Sequence, residues 1–264
     1  MQSFRDFISP YEKPPTLLKL EQFQQDKRFD MDIFNFAFEY DNYYWMTPID
    51  SIKFCTTGGD GCHFAFLTDF GTQTDLENAP IVFVAPMDFG ACVRLVANNL
   101  KDLLGLFCYF GYTEAFRFYR PDNGELEKIR EQIATESHRA EDRKVLCELL
   151  YSEFGSPRFE HSEAYDYIQQ VHEQRAAMAQ IPTFDTVGIL GESAPDFKVF
   201  DFENTEDAAM ENFLGSVSKP ERLKFYRDFK FLKGYRPPES TQNLIARFLE
   251  ADGFFRESNL LKST

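Results

Sequence analysis

Two periods alternate along the chain. In Met31–Tyr44, Phe34, Phe36, Phe38 and Tyr40 occupy every second position, with Asn35, Ala37, Glu39 and Asp41 between them. That spacing predicts a half-buried strand with one aromatic face. Ile52–Thr57 and Cys62–Thr68 are β-prone runs on either side of Gly58-Gly59-Asp60-Gly61. Glycine allows the positive φ that a tight reversal needs, so this stretch predicts a hairpin with Gly58, Gly59 and Gly61 as its structural turn residues. Pro80–Pro86 encloses a continuous apolar run, the pattern of a strand buried on both faces. The period then changes. Val93, Val96, Ala97, Leu100, Leu103, Leu104 and Phe107 recur at three- and four-residue spacing, which predicts a single amphipathic helix ending near Gly111. A shorter helix, capped by Thr16 and running to about Lys27, precedes the sheet.

Pro121-Asp-Asn-Gly124 is a strong turn signal and the expected boundary. Beyond it, Leu126, Ile129 and Ile133 share one helical stripe, and Val145, Leu146, Leu149, Leu150 and Phe154 share the next, stopped by Gly155 and Pro157. A third helix starts at Ser162. Thr183–Leu190 and Phe197–Phe202 read as short strands around a Gly191–Pro195 turn, and helices are expected over 206–216, 220–233 and 241–250. The fold class is therefore α+β. A mostly antiparallel, aromatic-rich sheet with packing helices is followed by a mainly helical C-terminal half. The strands are linked by hairpin-length or irregular segments, without the helix-length crossover that parallel pairing requires. The chain divides into an α+β domain over residues 1–120 and a helical region over 121–264, either separate or packed on the first as one unit.

Composition narrows the function. Thirty of the 264 residues are phenylalanine, which favours a sheet packed with aromatic side chains over a helical bundle. The net charge of −15 is spread over both halves. A phosphate-backbone binder needs a basic surface, so nucleic acid is not the expected direct ligand, whereas a basic protein partner is compatible. Solubility alone also explains such a charge. The five cysteines, Cys55, Cys62, Cys92, Cys108 and Cys147, are odd in number and form no Cys-x-x-Cys pair. Neither a disulfide framework nor a zinc knuckle is expected, and a reducing cytoplasm fits best. Cys92 and Cys108 fall among apolar residues and read as small core residues. The N-terminal residues lack a signal-peptide core, and no apolar run reaches the ~20 residues of a membrane span.

Polar groups gather in one place, around the hairpin: Asp60, His63 and Asp69, with the single tryptophan, Trp45, just upstream. These four are the candidate residues for binding a partner or ligand. Asp60 has a plain alternative role as a turn residue, and Trp45 as a cover for the end of the sheet. The tetrad differs from the GGDEF motif of diguanylate cyclases, because Gly61-Cys62 stands where Glu-Phe would be. His172-Glu173 opens like a zinc-protease helix, but Ala176 occupies the second histidine position. His138 and His161 lie in polar segments and read as surface residues. Cys62 and His63 are strand neighbours and face opposite sides, so they do not form a dyad. No catalytic residue, cofactor or metal is assigned from the sequence.

Residues 47–107 carry a family pattern. Thr47-Pro48 precedes a strand, Thr57-Gly58-Gly59-Asp60-Gly61 follows it, and His63–Leu67 forms an aromatic strand. The Pro80–Pro86 strand then leads to Val96-Ala97-Asn98-Asn99-Leu100 at the opening of a leucine-rich helix. This pattern resembles the SUKH superfamily, whose members are mostly α+β proteins that act as immunity proteins in bacterial toxin systems or as interaction modules. The resemblance implies a non-enzymatic protein-binding module and, as its specific form, an immunity protein that neutralises a basic toxin domain. The competing readings are a structural or regulatory bacterial protein with a SUKH-like sheet, and a small-molecule binder or enzyme with a dispersed site near the 58–69 hairpin.

Overall fold

The structure, a computed structural model, describes residues 8–88, 90–113, 115–118, 128, 131, 137–160, 163–192, 196–203, 206–231 and 236–263. Its centre is a five-stranded antiparallel meander: β1 (Ala37–Phe38), β2 (Ser51–Thr56), β3 (His63–Leu67), β4 (Ile81–Val84) and β5 (Val93–Ala97), paired in chain order. The helices among the described residues are α1 (Pro15–Gln25), α2 (Leu100–Phe110), α3 (Ala115–Phe118), α4 (Ser137–Phe154), α5 (Glu163–Met178), α6 (Asp207–Ser216), α7 (Lys219–Phe229), α8 (Glu239–Ala251) and α9 (Phe255–Ser263). The α+β class, the antiparallel sheet and the helical C-terminal half stand as the sequence predicts.

Period two on β3 explains why both faces of the sheet are covered. Phe64 and Phe66 point to one side and join Phe54, Phe83 and Phe107 in an aromatic core closed by α1, α2 and α4. Ala65 and Leu67 point to the other side, where Val82, Val84, Leu95 and Val171 of α5 pack. The first core includes Leu146, Leu150, Phe154 and Ile168, so residues beyond 137 help to bury the sheet. A third cluster gathers α6 to α9 around Phe225, Tyr226 and Phe229, and draws in Ile49 and Phe70, which flank the open end of the β2–β3 hairpin.

The structure corrects several local expectations. Met31–Tyr44 is not one strand. Asp30 caps a 3-10 turn over Met31–Phe34 by accepting from the Asp32 N–H at 3.0 Å, and Asn35 turns left-handed with φ 58°. Only Ala37–Phe38 pairs in the sheet, although Phe34 and Phe36 still point inward. The expected helix from Val93 is two elements. Val93–Ala97 is edge strand β5, and Asn99 caps α2 by accepting from the Asp102 N–H at 2.9 Å. Both faces of β5 are covered, so its apolar residues fit a helical spacing as well as a strand spacing. Thr183–Leu190 forms only an isolated bridge between Ile181 and Ile189, and 197–202 pairs with no strand, because side chains rather than a ladder satisfy this backbone. Helix α9 was not foreseen. The Pro121–Gly124 boundary, the 126–133 stripe, His161, Ser162 and the side chain of His138 lie outside the described residues.

Candidate functional site

The β2–β3 hairpin has two chemically different ends. At its turn end, Gly58, Asp60 and Gly61 take positive φ, at 79°, 50° and 70°, whereas Gly59 does not. Gly61 is held by close approach as well, since an added Cβ would enter the ring of Tyr44. Asp60 is largely exposed and accepts from Arg117 Nη1 at 2.7 Å, while Asp88 accepts from Arg117 Nε at 2.9 Å.

His63 opens β3 and is fully buried. Its Nδ1 lies 2.8 Å from the Gly61 carbonyl and its Nε2 3.1 Å from the Thr47 hydroxyl, so Nδ1 is the protonated nitrogen of a neutral ring. Burial lowers its pKa to about 4, against the hydrogen bond to Gly61. The Tyr44 ring stacks on it at 6.2 Å. His63 is thus closed in from both sides.

At the open end, Asp50 precedes β2 and Asp69 follows β3, and both are fully buried. Asp69 is paired bidentately with Arg175 of α5, at 2.8 and 2.5 Å. Arg175 also donates to the carbonyls of Val187 (3.0 Å) and Gly188 (2.6 Å). Asp50 receives both carboxylate bonds from Nη1 of Arg227 on α7, at 2.5 and 2.6 Å, and Arg227 Nε reaches Asp185 at 2.7 Å. Burial alone would lower the pKa of Arg227, but Asp185 and Asp50 outweigh it and hold the guanidinium charged. Burial would likewise raise Asp185, yet Arg227, the Thr183 hydroxyl and the Val187 N–H together hold it below the usual carboxylate range. Asp228 accepts from the Phe184 N–H (2.7 Å) and from Lys224 (2.6 Å), and Lys224 also reaches the Pro182 carbonyl. Loop 182–188 is therefore fixed at almost every residue by charge-assisted bonds.

That fixed loop is one wall of a cleft of about 580 Å³. The facing wall is edge strand β5 with Cys92, Val93 and Leu95. Met46, Gly90, Ala91, Arg94, His172 and Phe231 also line it, and Phe184 is 51% exposed there. The Ala85 N–H donates to the Cys92 carbonyl and Phe83 pairs with Arg94, so Cys92 and Arg94 turn their backbone groups toward β4. Alternation then turns those of Val93 and Leu95 to the free edge. His172 meets the Leu95 carbonyl, and burial lowers its pKa against that bond. Val93 faces the cleft.

Cys92, His172 and Asp185 share this cleft but are committed elsewhere. Asp185 is taken by Arg227, Thr183 and Val187, and His172 by Leu95. Burial raises the Cys92 thiol to about 11, away from the thiolate form that attacks an electrophile. Among the described residues no group of three His, Cys, Asp or Glu side chains is placed to hold a metal ion. No helix among them is long and apolar enough to cross a membrane.

The four residues singled out from the sequence do not converge. Asp60 sits at the turn, His63 inside β3, and Asp69 in the buried ion network. Trp45 is half-buried against Phe229 at 5.7 Å, with Lys230 Nζ 4.2 Å from its ring centroid. Lys230 is 1% exposed, and burial, aided by Arg236, lowers its pKa to about 7. Asp50, Arg175, Asp185 and Arg227 were missed. One signal was legible: the apolar stripe Ala164, Ile168, Val171 continues at the same spacing to Arg175. A cation on an apolar stripe needs a buried acid opposite it.

The chain matches no protein-family model and no curated protein.

Proposed function

We propose that the protein is a protein-binding module whose docking site is the cleft between β5 and loop 182–188, and whose occupant is an extended segment of a basic protein. The observation that carries this reading is the cleft itself. A strand edge with outward backbone groups at Val93 faces an apolar wall whose backbone is locked by ion pairs. A segment added there would pair its main chain with β5 and lay alternate side chains against Phe184, Val187 and Phe231. A preformed wall lowers the ordering cost of binding, and the net charge of −15 steers a basic partner toward the protein.

The specific form of this function that we favour is immunity against a toxin domain, in line with the SUKH-like pattern of residues 47–107. Its test is binding to a basic toxin domain encoded beside this protein. We expect an association rate that falls steeply with salt, and loss of affinity of at least about tenfold in Phe184→Asp with the fold intact by circular dichroism. A partner that binds wild type and Phe184→Asp equally well removes the cleft from the reading. Absence of binding at low salt removes the immunity role. A second reading is small-molecule binding, favoured by a cleft volume that lies within the ~300–1,000 Å³ of ligand pockets.

A further inference from the structure

On the opposite side of the sheet, away from the cleft, two cysteines meet across a helix interface. Cys108 is in the last turn of α2 and Cys147 is in the middle of α4. Both are half-buried, whereas Cys55, Cys62 and Cys92 are buried. Cys108 and Cys147 pack against the same core where α2 and α4 meet, and each thiol shifts the titration of the other. Close approach is built into the backbone nearby. Gly105, one turn before Cys108, lies so near the chain leaving α4 that an added Cβ would stand 2.5 Å from the Pro157 carbonyl.

The surroundings differentiate the two sulfurs. Cys108, then Arg143 and Arg158, lower the pKa of Cys147, although burial opposes this. Cys147 in turn, together with burial, raises the pKa of Cys108. Tyr151, one turn beyond Cys147, hydrogen-bonds to Cys108, and the Arg158 guanidinium lies 4.1 Å over the Tyr151 ring. Arg158 is held there by Glu148 at 2.8 and 2.5 Å. One thiol favoured as thiolate beside a second, protonated thiol is the arrangement of a peroxide-reactive dithiol.

We propose that Cys108 and Cys147 form a reversible redox site, oxidised by hydrogen peroxide to a disulfide that ties α2 to α4. The Cys147 thiolate attacks one peroxide oxygen, the O–O bond breaks, and the leaving hydroxide takes up a proton to become water. Cys147 is then a sulfenic acid. The Cys108 sulfur attacks the Cys147 sulfur, the S–O bond breaks, and the hydroxyl leaves as a second water with the Cys108 proton. Two thiols lose two electrons in total, and one peroxide is reduced to two waters. A dithiol reductant reverses the bond by exchange. The proposal is independent of what occupies the cleft.

The test treats the reduced protein with stoichiometric hydrogen peroxide at pH 7, blocks residual thiols by alkylation, and maps the peptides by mass spectrometry. The expected product is an intramolecular Cys108–Cys147 disulfide, with Cys55, Cys62 and Cys92 alkylated. Because the bond closes a loop of about 40 residues, Tm should rise by about 5 °C on oxidation and return with dithiothreitol. In Cys108→Ser, oxidation should stop at a Cys147 sulfenic acid that dimedone traps, and Cys147→Ser should give neither product. Oxidation spread evenly over all five cysteines, intermolecular crosslinks as the main product, or a Cys108 sulfenic acid formed ahead of that on Cys147 would each overturn the proposal. The wild-type peptide map decides the matter even if a serine variant folds poorly.

Discussion

The two faces reached by the β2–β3 hairpin are stabilised by opposite chemistry. Phe54, Phe64 and Phe66 enter a dry aromatic core in which Phe54 and Phe66 lie 4.4 Å apart. A few residues away, Asp50 and Asp69 enter an equally buried site where four carboxylates and three cations form three ion-paired sets joined through loop 182–188. The aromatic core tolerates imprecision, since dispersion and area burial are not directional. The ionic site does not, because each buried charge is costly unless its partner stands in one place. The first therefore holds the sheet together. The second fixes where α5, α7 and loop 182–188 sit on it, and so shapes the cleft.

The sharpest way to test this division is to remove one member of each region. Arg227→Ala leaves Asp50 and Asp185 buried without their cation and should destabilise the protein by about 3–5 kcal/mol. Phe64→Ala should cost about the same, through lost burial and a cavity. Urea denaturation reads both, and a double-mutant cycle separates them. Asp50→Ala added to Arg227→Ala should cost less than Asp50→Ala alone, with a coupling of about 1 kcal/mol or more, whereas Phe64→Ala and Arg227→Ala should be additive. Additive behaviour of Asp50 with Arg227 would show that the ion network does not act as a unit.

The contrast also explains what was legible in the sequence. The β-prone runs Ile52–Thr57 and Cys62–Thr68 and the Gly-rich turn between them are local signals, and the hairpin follows from them. The Pro80–Pro86 strand and β5 are covered on both faces, so the alternation that marks a half-exposed strand is absent there, and the apolar spacing of β5 reads equally as the start of the following helix. The ion pairs link Asp50 to Arg227 and Asp69 to Arg175 across more than a hundred residues. No local period encodes such a pairing. Asp69 was singled out for its neighbours on the hairpin, yet its partner is on α5. The cleft is less legible still, because one wall is an irregular loop ordered by Asp185 and Asp228 rather than by a hydrophobic pattern.

His63 offers a pH handle on the sheet. Its folded pKa of about 4 lies below the ordinary 6.5. Between these values the unfolded chain binds a proton that the folded chain refuses. Stability should therefore fall as pH drops from 6.5 toward 4, by ~3 kcal/mol from this residue. His63→Gln, which keeps a polar side chain between Gly61 and Thr47, should flatten that limb in denaturation curves taken across the range. An unchanged slope would mean that the acid sensitivity comes from other groups.

Lys230 reports on the C-terminal side in the same sense but in a higher pH window. Its pKa falls from 10.5 in the unfolded chain to about 7 in the folded one. The penalty of a buried charge is full below pH 7 and is relieved as pH rises toward 10.5. Lys230→Met, of similar length and uncharged, should stabilise the protein by about 1–3 kcal/mol at pH 6. The gain should shrink between pH 7 and 10.5. Stabilisation that does not change with pH would point to packing alone.

The smallest effect should come from the turn end of the hairpin. Asp60 is exposed, and its ion pair with Arg117 is a surface pair that contributes ~0–1 kcal/mol. Arg117 keeps Asp88 when Asp60 is changed. Asparagine accepts the left-handed φ of 50° as readily as aspartate does. Asp60→Asn should thus move stability by less than ~0.5 kcal/mol, while Asp69→Asn at the other end should move it several times as far, because it leaves Arg175 buried without its counter-charge. Measured side by side, the two aspartates of one hairpin grade its ends directly. Equal losses would mean that the turn is as tightly coupled to the fold as the buried network, and that the division between the two ends does not hold.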